Sequence, residues 1–213
     1  MTALDENGLA EDTIVIYTAD HGFSLGHHGI WGHGLAAWPS SMLRPSYHVP
    51  LVMEGPGIAT ADHDGLVSQI DIPNTLLHAA GAALIETDRH DSRVIALDDP
   101  GRPVRDALCI EQEESRAIRT AGHLYVERFS QAGGTPLPSE LYELENDPGE
   151  RHDLAAEGDG AAVASELSAQ LKAYFDRHAA PGFDLWSGGR AKSNITNPAF
   201  WQNAWGPEWG CTT

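Results

Sequence analysis

Apolar residues group into a few short runs separated by glycine, proline and acidic stretches. The first run, Thr13 to Ala19, is continuous and β-branched (Ile14, Val15, Ile16), the pattern of a strand buried on both faces. Upstream of it, Leu4 followed by Asn7-Gly8 reads as the end of a helix. Residues 35–49 contain Trp38, Pro39, Pro45 and Tyr47 without periodicity and read as an irregular loop. Pro50 to Glu54 predicts a second short strand, closed by Gly55-Pro56-Gly57. Val67 to Ala80 predicts a helix, with Asp71 as its N-cap, Pro73 in its first turn and Gly81 just past its end.

A different rhythm starts after residues 82–105, which show little periodicity. Ala107 to Ile110, Arg116 to Thr120, Leu124 to Phe129 and Leu141 to Leu144 read as short strands, with Ala121-Gly122 as a hairpin turn. Val163, Leu167, Leu171, Tyr174 and Phe175 recur at helical spacing and predict an amphipathic helix from about Gly160 to His178. The chain thus divides into an α/β region over 1–90, an antiparallel α+β region with a packing helix over 91–180, and a tail over 181–213. The tail holds Trp186, Trp201, Trp205 and Trp209 with Phe183 and Phe200, rings expected to pack on the body or on a partner.

Composition narrows the possible partners. The 213 residues carry 31 acidic and 13 basic side chains, a net charge of −18. Such a surface argues against nucleic acid and against an anionic membrane as partners. An anionic substrate would need local positive charge. No apolar stretch approaches a membrane span, and the first residues lack the regions of a signal peptide. The compartment is left open. Two cysteines make no disulfide framework, and Cys109, in the run Ala107-Leu108-Cys109-Ile110, reads as a small core residue. Asn194-Ile195-Thr196 matches the glycosylation acceptor pattern.

The chemistry concentrates just past the first strand. Asp20, His21 and Gly22 follow it at once, where ligands bind in open α/β sheets. His21, His27, His28 and His33 fall in one glycine-rich loop. A carboxylate and imidazoles on such a loop suggest a metal or an anionic group, against the plainer reading of a turn Asp and solvated His. Arg44 and His48 precede the second strand and could pair with an anion, or be solvated. Glu111, Glu113 and Glu114 read as a solvated turn, and Asp71 as a cap, rather than as acid/base pairs.

Asp20-His21-Gly22, Leu25-Gly26, His28-Gly29, Trp31-Gly32, Val49-Pro50-Leu51 and Gly55-Pro56-Gly57, with Glu140 to Leu154 downstream, resemble the C-terminal half of a sulfatase. That family belongs to the alkaline-phosphatase-like superfamily. The resemblance implies an α/β fold: the C-terminal part of a three-layer sandwich over 1–90 and a small antiparallel subdomain over 91–180. It implies hydrolysis of a sulfate ester, small-molecule or sugar. It makes Asp20 and His21 ligands of a divalent cation, usually Ca2+. It places His28 and His33 as catalytic, site-lining residues, and Arg44 and His48 as substrate-binding. His33 stands where many sulfatases have Lys, so it could hydrogen-bond a sulfate oxygen or protonate a leaving alkoxide. Glu140 to Leu154 reads as structural.

The formylglycine nucleophile of the family arises from Cys or Ser in a Cys/Ser-x-Pro-x-Arg motif, which does not occur here. The paired acidic ligands of the family's first strand are also missing. The resemblance therefore implies a fragment with little or no activity alone, and a strand at Thr13 to Ala19 with few neighbours, so that association, a homo-oligomer included, is expected. Two other readings remain: a phosphoryl or phosphonate ester hydrolase of the same superfamily, and a non-catalytic module that binds a partner through its aromatic tail.

Overall fold

The computed structural model describes residues 1–37, 39–112, 114–129 and 137–188. Expectations for Trp38, Glu113, Asn194, Phe200, Cys211 and the tryptophans at 201, 205 and 209 lie outside the described residues.

Helix α1 (Thr2–Glu6) opens the chain. It ends as the pattern predicts, at Asn7, whose side-chain amide donates to the Ala3 carbonyl. Strand β1 (Val15–Thr18) follows, then the two-residue strands β2 (Ser24–Leu25) and β3 (Trp31–Gly32), which pair as a small hairpin. Helix α2 (Arg44–Tyr47) is a single turn inside the segment expected to be irregular, with Pro45 near its start. Strand β4 (Leu51–Glu54) and helix α3 (Asp71–Ala79) complete this part.

β1 and β4 pair antiparallel, with Thr18 opposite Leu51. The carboxyl end of β1 therefore lies beside the amino end of β4, which brings residues 20–22 close to residues 44–50. The expectation of a strand buried on both faces is not met. Among the described residues β4 is the one strand paired with β1, so Tyr17 and its partner Val52 stay 67% and 58% exposed.

Four antiparallel strands follow as the alternation predicts: β5 (Ala107–Gln112), β6 (Ser115–Thr120), β7 (His123–Arg128) and β8 (Glu140–Glu143). They lie in sequence order. Successive side chains point to opposite faces. Ala117, Leu124, Val126 and Tyr142 pack on one face with Leu144, Met42 and Leu43. Ile118, Tyr125 and Leu141 pack on the other with Leu167, Leu171 and Phe175. The second face is covered by α5 (Ala161–His178), which follows the short helix α4 (Leu154–Glu157). The first face is covered by residues 39–48 through Met42 and Leu43, so this irregular segment also contributes to the core. Cys109 packs against the α5 cluster, and burial pushes its thiol up to about 12, as for a small core residue.

Buried ion pairs lock the two parts together, and three carboxylates depart from the sequence reading. Asp71 is not a side-chain N-cap. It is fully buried, accepts from the Ser68 and Arg93 backbone amides at 2.8 Å each, and pairs with the Arg105 guanidinium. Arg105 also meets Asp91 at 2.7 Å. Glu114 is not in a solvated turn. It is fully buried and accepts from the Ser40 amide at 2.7 Å and the Ser40 hydroxyl at 3.0 Å. Glu111 pairs with Arg116 at 2.9 Å. Hydrogen bonds and ion pairs offset the cost of burying Asp71 and Glu114.

The described start of the tail packs on the body, as its aromatic content predicts. The Arg116 guanidinium lies between the Phe175 and Trp186 rings, 3.8 Å and 4.1 Å from their centroids. Asp184 meets the same guanidinium at 2.7 Å.

Candidate functional site

β1 ends at Thr18, and the side-chain amide of Gln69 donates to the Ala19 carbonyl beyond it. Gly22 then passes so close to α2 that a Cβ there would lie 2.0 Å from the Pro45 carbonyl oxygen. Its amide donates to the Ser46 carbonyl at 3.0 Å. Glycine is required here for close approach rather than for a left-handed φ.

His21, Gly22, His28, Arg44, His48 and the turn 148–151 line one cavity of about 770 Å³. The structure thus brings together His21, His28, Arg44 and His48. Asp20 and His33 connect to that cavity through His21. The Asp20 carboxylate lies 3.8 Å from His21 Nε2, and the His33 ring centroid lies 5.2 Å from that of His21.

The hydrogen bonds orient these rings. His21 Nδ1 is 2.9 Å from the Gly22 carbonyl oxygen, an acceptor only, so Nδ1 donates to it and Nε2 is left on the side of the Asp20 carboxylate. Asp20 and His21 therefore offer one carboxylate oxygen and one imidazole nitrogen on the same side, both solvent-accessible. These donors suit a divalent cation but fall short of the six to eight oxygens that Ca2+ takes. No group of three or more His, Cys, Asp or Glu side chains suited to a metal occurs among the described residues.

His33 Nδ1 accepts from the Leu35 amide at 3.2 Å, which places the proton on Nε2, a donor suited to an anionic oxygen. His28 sits at φ 53°, a left-handed backbone that turns its exposed ring toward the cavity. His27 Nδ1 accepts from the Leu25 amide at 3.3 Å. Arg44 Nε donates to His48 Nδ1 at 2.7 Å. Burial, then the charges of Arg44 and Arg119, hold the His48 ring below its ordinary value of 6.5, so neutral His48 is the acceptor that orients Arg44.

Sequence reasoning missed the residue that anchors this wall. Glu150 is buried at φ 54° in the turn after β8. It accepts from the Arg44 amide at 2.6 Å, from the Tyr47 hydroxyl at 3.4 Å and from Arg119 at 3.2 Å. Burial raises its carboxyl above the usual range, against the pull of these donors. Burial likewise lifts the Tyr47 phenol to about 12, which keeps it a donor. No local pattern distinguishes Glu150 from a solvated turn glutamate. The sole signal was its place in the downstream stretch Glu140 to Leu154.

Comparisons with known proteins agree with this architecture. A family model described as Sulfatase matches residues 1–82. A choline-sulfatase of Rhizobium meliloti (strain 1021) is 28% identical over 182 residues, covering 78% of this chain and 31% of the relative. Arylsulfatase K of Bos taurus is 29% identical over 184 residues, covering 80% and 32%. The chain therefore spans about a third of the length of the curated relatives it matches. The crystal structure of a phosphonate monoester hydrolase of Agrobacterium radiobacter superposes with a TM-score of 0.68 at 28% identity, over 83% of this chain and 38% of that one. Family model, relatives and shared α/β fold agree: residues 1–82 match the sulfatase family, and the chain is similar to part of known sulfatases over most of its length.

Proposed function

We propose that the chain forms one wall of a sulfate-ester hydrolysis site, whose substrate is a small-molecule or sugar sulfate. The observation that carries this reading is the convergence of His21, His28, Arg44 and His48 on a single cavity at the carboxyl end of β1. Cationic and hydrogen-bond-donating groups gather there in a chain with a net charge of −18. Such clustering is what a tetrahedral oxyanion needs for local attraction.

In this reading Arg44, oriented by His48, binds the ester. His33 donates from Nε2 to a sulfate oxygen or gives its proton to the departing alkoxide. His28 lines the path between them. Asp20 and His21 hold part of a divalent-cation site, most suitably Ca2+, whose remaining ligands would come from other polypeptide. The cation supplies positive charge to the sulfate oxygens. A formylglycine, the nucleophile of the family, has no precursor motif in this sequence, so the chain alone has little or no turnover.

A second reading, a phosphonate ester hydrolase, is favoured by the 28% identity to the phosphonate monoester hydrolase fold. One titration separates the two. The purified chain with Ca2+ is titrated with 4-nitrophenyl sulfate and with 4-nitrophenyl phenylphosphonate, and release of 4-nitrophenol is followed alongside binding. Binding of the sulfate, weakened by Arg44→Gln and without turnover, supports the proposal. Preference for the phosphonate supports the second reading. Metal-dependent turnover by the pure chain would overturn the prediction of inactivity.

A further inference from the structure

Most described basic side chains in this acid-rich chain are paired. Arg93, Arg105, Arg116, Arg119, Arg128, Lys172 and Arg177 each lie within 4.0 Å of a carboxylate. Arg44, Arg89, Arg102 and Arg151 have no such partner among the described residues, and of these Arg44 and Arg151 line one cavity together. The carboxylate that lines it with them, Glu150, is engaged by the Arg44 amide, Tyr47 and Arg119. Neither guanidinium is neutralised from within.

The backbone that carries Arg151 is held in place. The Asp147 carboxylate accepts from the Arg151 amide at 2.6 Å and from the His152 amide at 2.8 Å, which fixes the turn. The left-handed backbone of Glu150 sends that side chain inward and leaves the next one on the cavity side. Arg151 then folds back over Gly149, where an added Cβ would lie 3.4 Å from Arg151 Nε. The result is a second guanidinium lining the cavity that Arg44 lines.

We propose that Arg151 is a specificity-determining residue. With Arg44 it receives a second anionic group, a carboxylate or another sulfate, carried on the alcohol half of the substrate. The proposal rests on the reading of this cavity as a sulfate-ester site. Guanidinium suits both groups, since its planar fork meets two oxygens at once. The net charge of −18 repels a dianion at long range, so any preference for one must arise locally.

The test is calorimetric titration of the full chain, with Ca2+, using three aryl sulfates of matched shape. These are 4-carbamoylphenyl sulfate, 4-carboxyphenyl sulfate and 1,4-phenylene bis-sulfate. The expected result is that a probe with a second anionic group binds about fivefold to tenfold more tightly than the amide, and that Arg151→Gln brings the ratio to about one. Arg102→Gln, which removes an exposed charge elsewhere, leaves the ratio intact. A gain for the carboxylate alone, or for the bis-sulfate alone, identifies which group the pair receives. Equal binding of all three probes overturns this proposal while leaving the sulfate-ester reading standing. A ratio that survives Arg151→Gln, or that Arg102→Gln lowers equally, overturns it too. Binding of none of them removes both.

Discussion

The Glu150 carboxylate accepts a hydrogen bond from the backbone amide of Arg44, 106 positions away, at 2.6 Å. The last strand's turn thereby caps the first turn of α2 and sets the cavity wall. Glu150→Ala would leave the Arg44 amide without its acceptor and Arg119 without its carboxylate. The expected cost is about 3–5 kcal/mol, the range for breaking a buried pair from one side. Urea unfolding measures it, and a loss within error of zero would show that the contact is not a structural tie.

Gly22→Ala places a methyl against the Pro45 carbonyl, which is backbone and cannot move aside. We expect a loss of about 1–3 kcal/mol from overpacking. The Gly22 amide, now bonded to Ser46, should exchange faster with solvent as the two loops part. Unchanged amide exchange would contradict the close approach.

Met42 is fully buried against the sheet although it lies in a segment without regular periodicity. Met42→Ala should cost about 2–5 kcal/mol, the range for deleting a core side chain. A mere loop covering the surface would give less than about 0.5 kcal/mol. Thermal and denaturant melts of the one variant separate the two.

Burial pushes the Asp184 carboxyl up, but the Ser187 hydroxyl and the Arg116 guanidinium outweigh it and hold it below its ordinary 3.8. The folded state binds the proton less readily than the unfolded one. The contribution is therefore full above 3.8 and lost as pH falls through the lower folded value. Asp184→Asn should flatten this part of the acid limb. An unchanged pH–stability curve would show that Asp184 does not hold the segment to Arg116.

The His48 ring is lowered from 6.5 by burial first and then by Arg44 and Arg119. The fold prefers the neutral ring, so the Arg44–His48 bond contributes fully above 6.5 and is lost as pH falls through the lowered value. An NMR titration of the histidine ring protons should find one midpoint below 6.5, moving upward in Arg44→Gln. Burial remains in that variant, so the midpoint should not return all the way.

The local parts of this structure were legible in the sequence. The alternation over residues 107–144 and the helical spacing of Leu167, Leu171 and Phe175 reflect packing that each element achieves with its neighbours in the chain. The asparagine-glycine stop after α1 and the loop that carries Asp20 and His21 were legible for the same reason. What was hidden is long-range. Asp71, Glu114 and Glu150 look like cap, turn and surface residues because their partners, Arg105, Ser40 and the Arg44 amide, lie 34, 74 and 106 positions away. Residues 39–48 hid their burial because irregular backbone leaves no period to read. The exposure of Tyr17 and Val52 could not follow from β-branched composition, which reports what a strand favours and not how many neighbours it has.

Residues 39–48 serve the sheet as a cover and the cavity as a wall. The two roles join the occupancy of the cavity to the opening of β6 and β7, strands that do not line it. A ligand held by Arg44 must stabilise every state in which this segment is docked, by RT ln(1 + [L]/Kd). Amide protection in the middle of the sheet thus becomes a reporter of events at the cavity, and a substrate could be detected from the slowing of exchange at Ile118 or Val126 without any turnover at all.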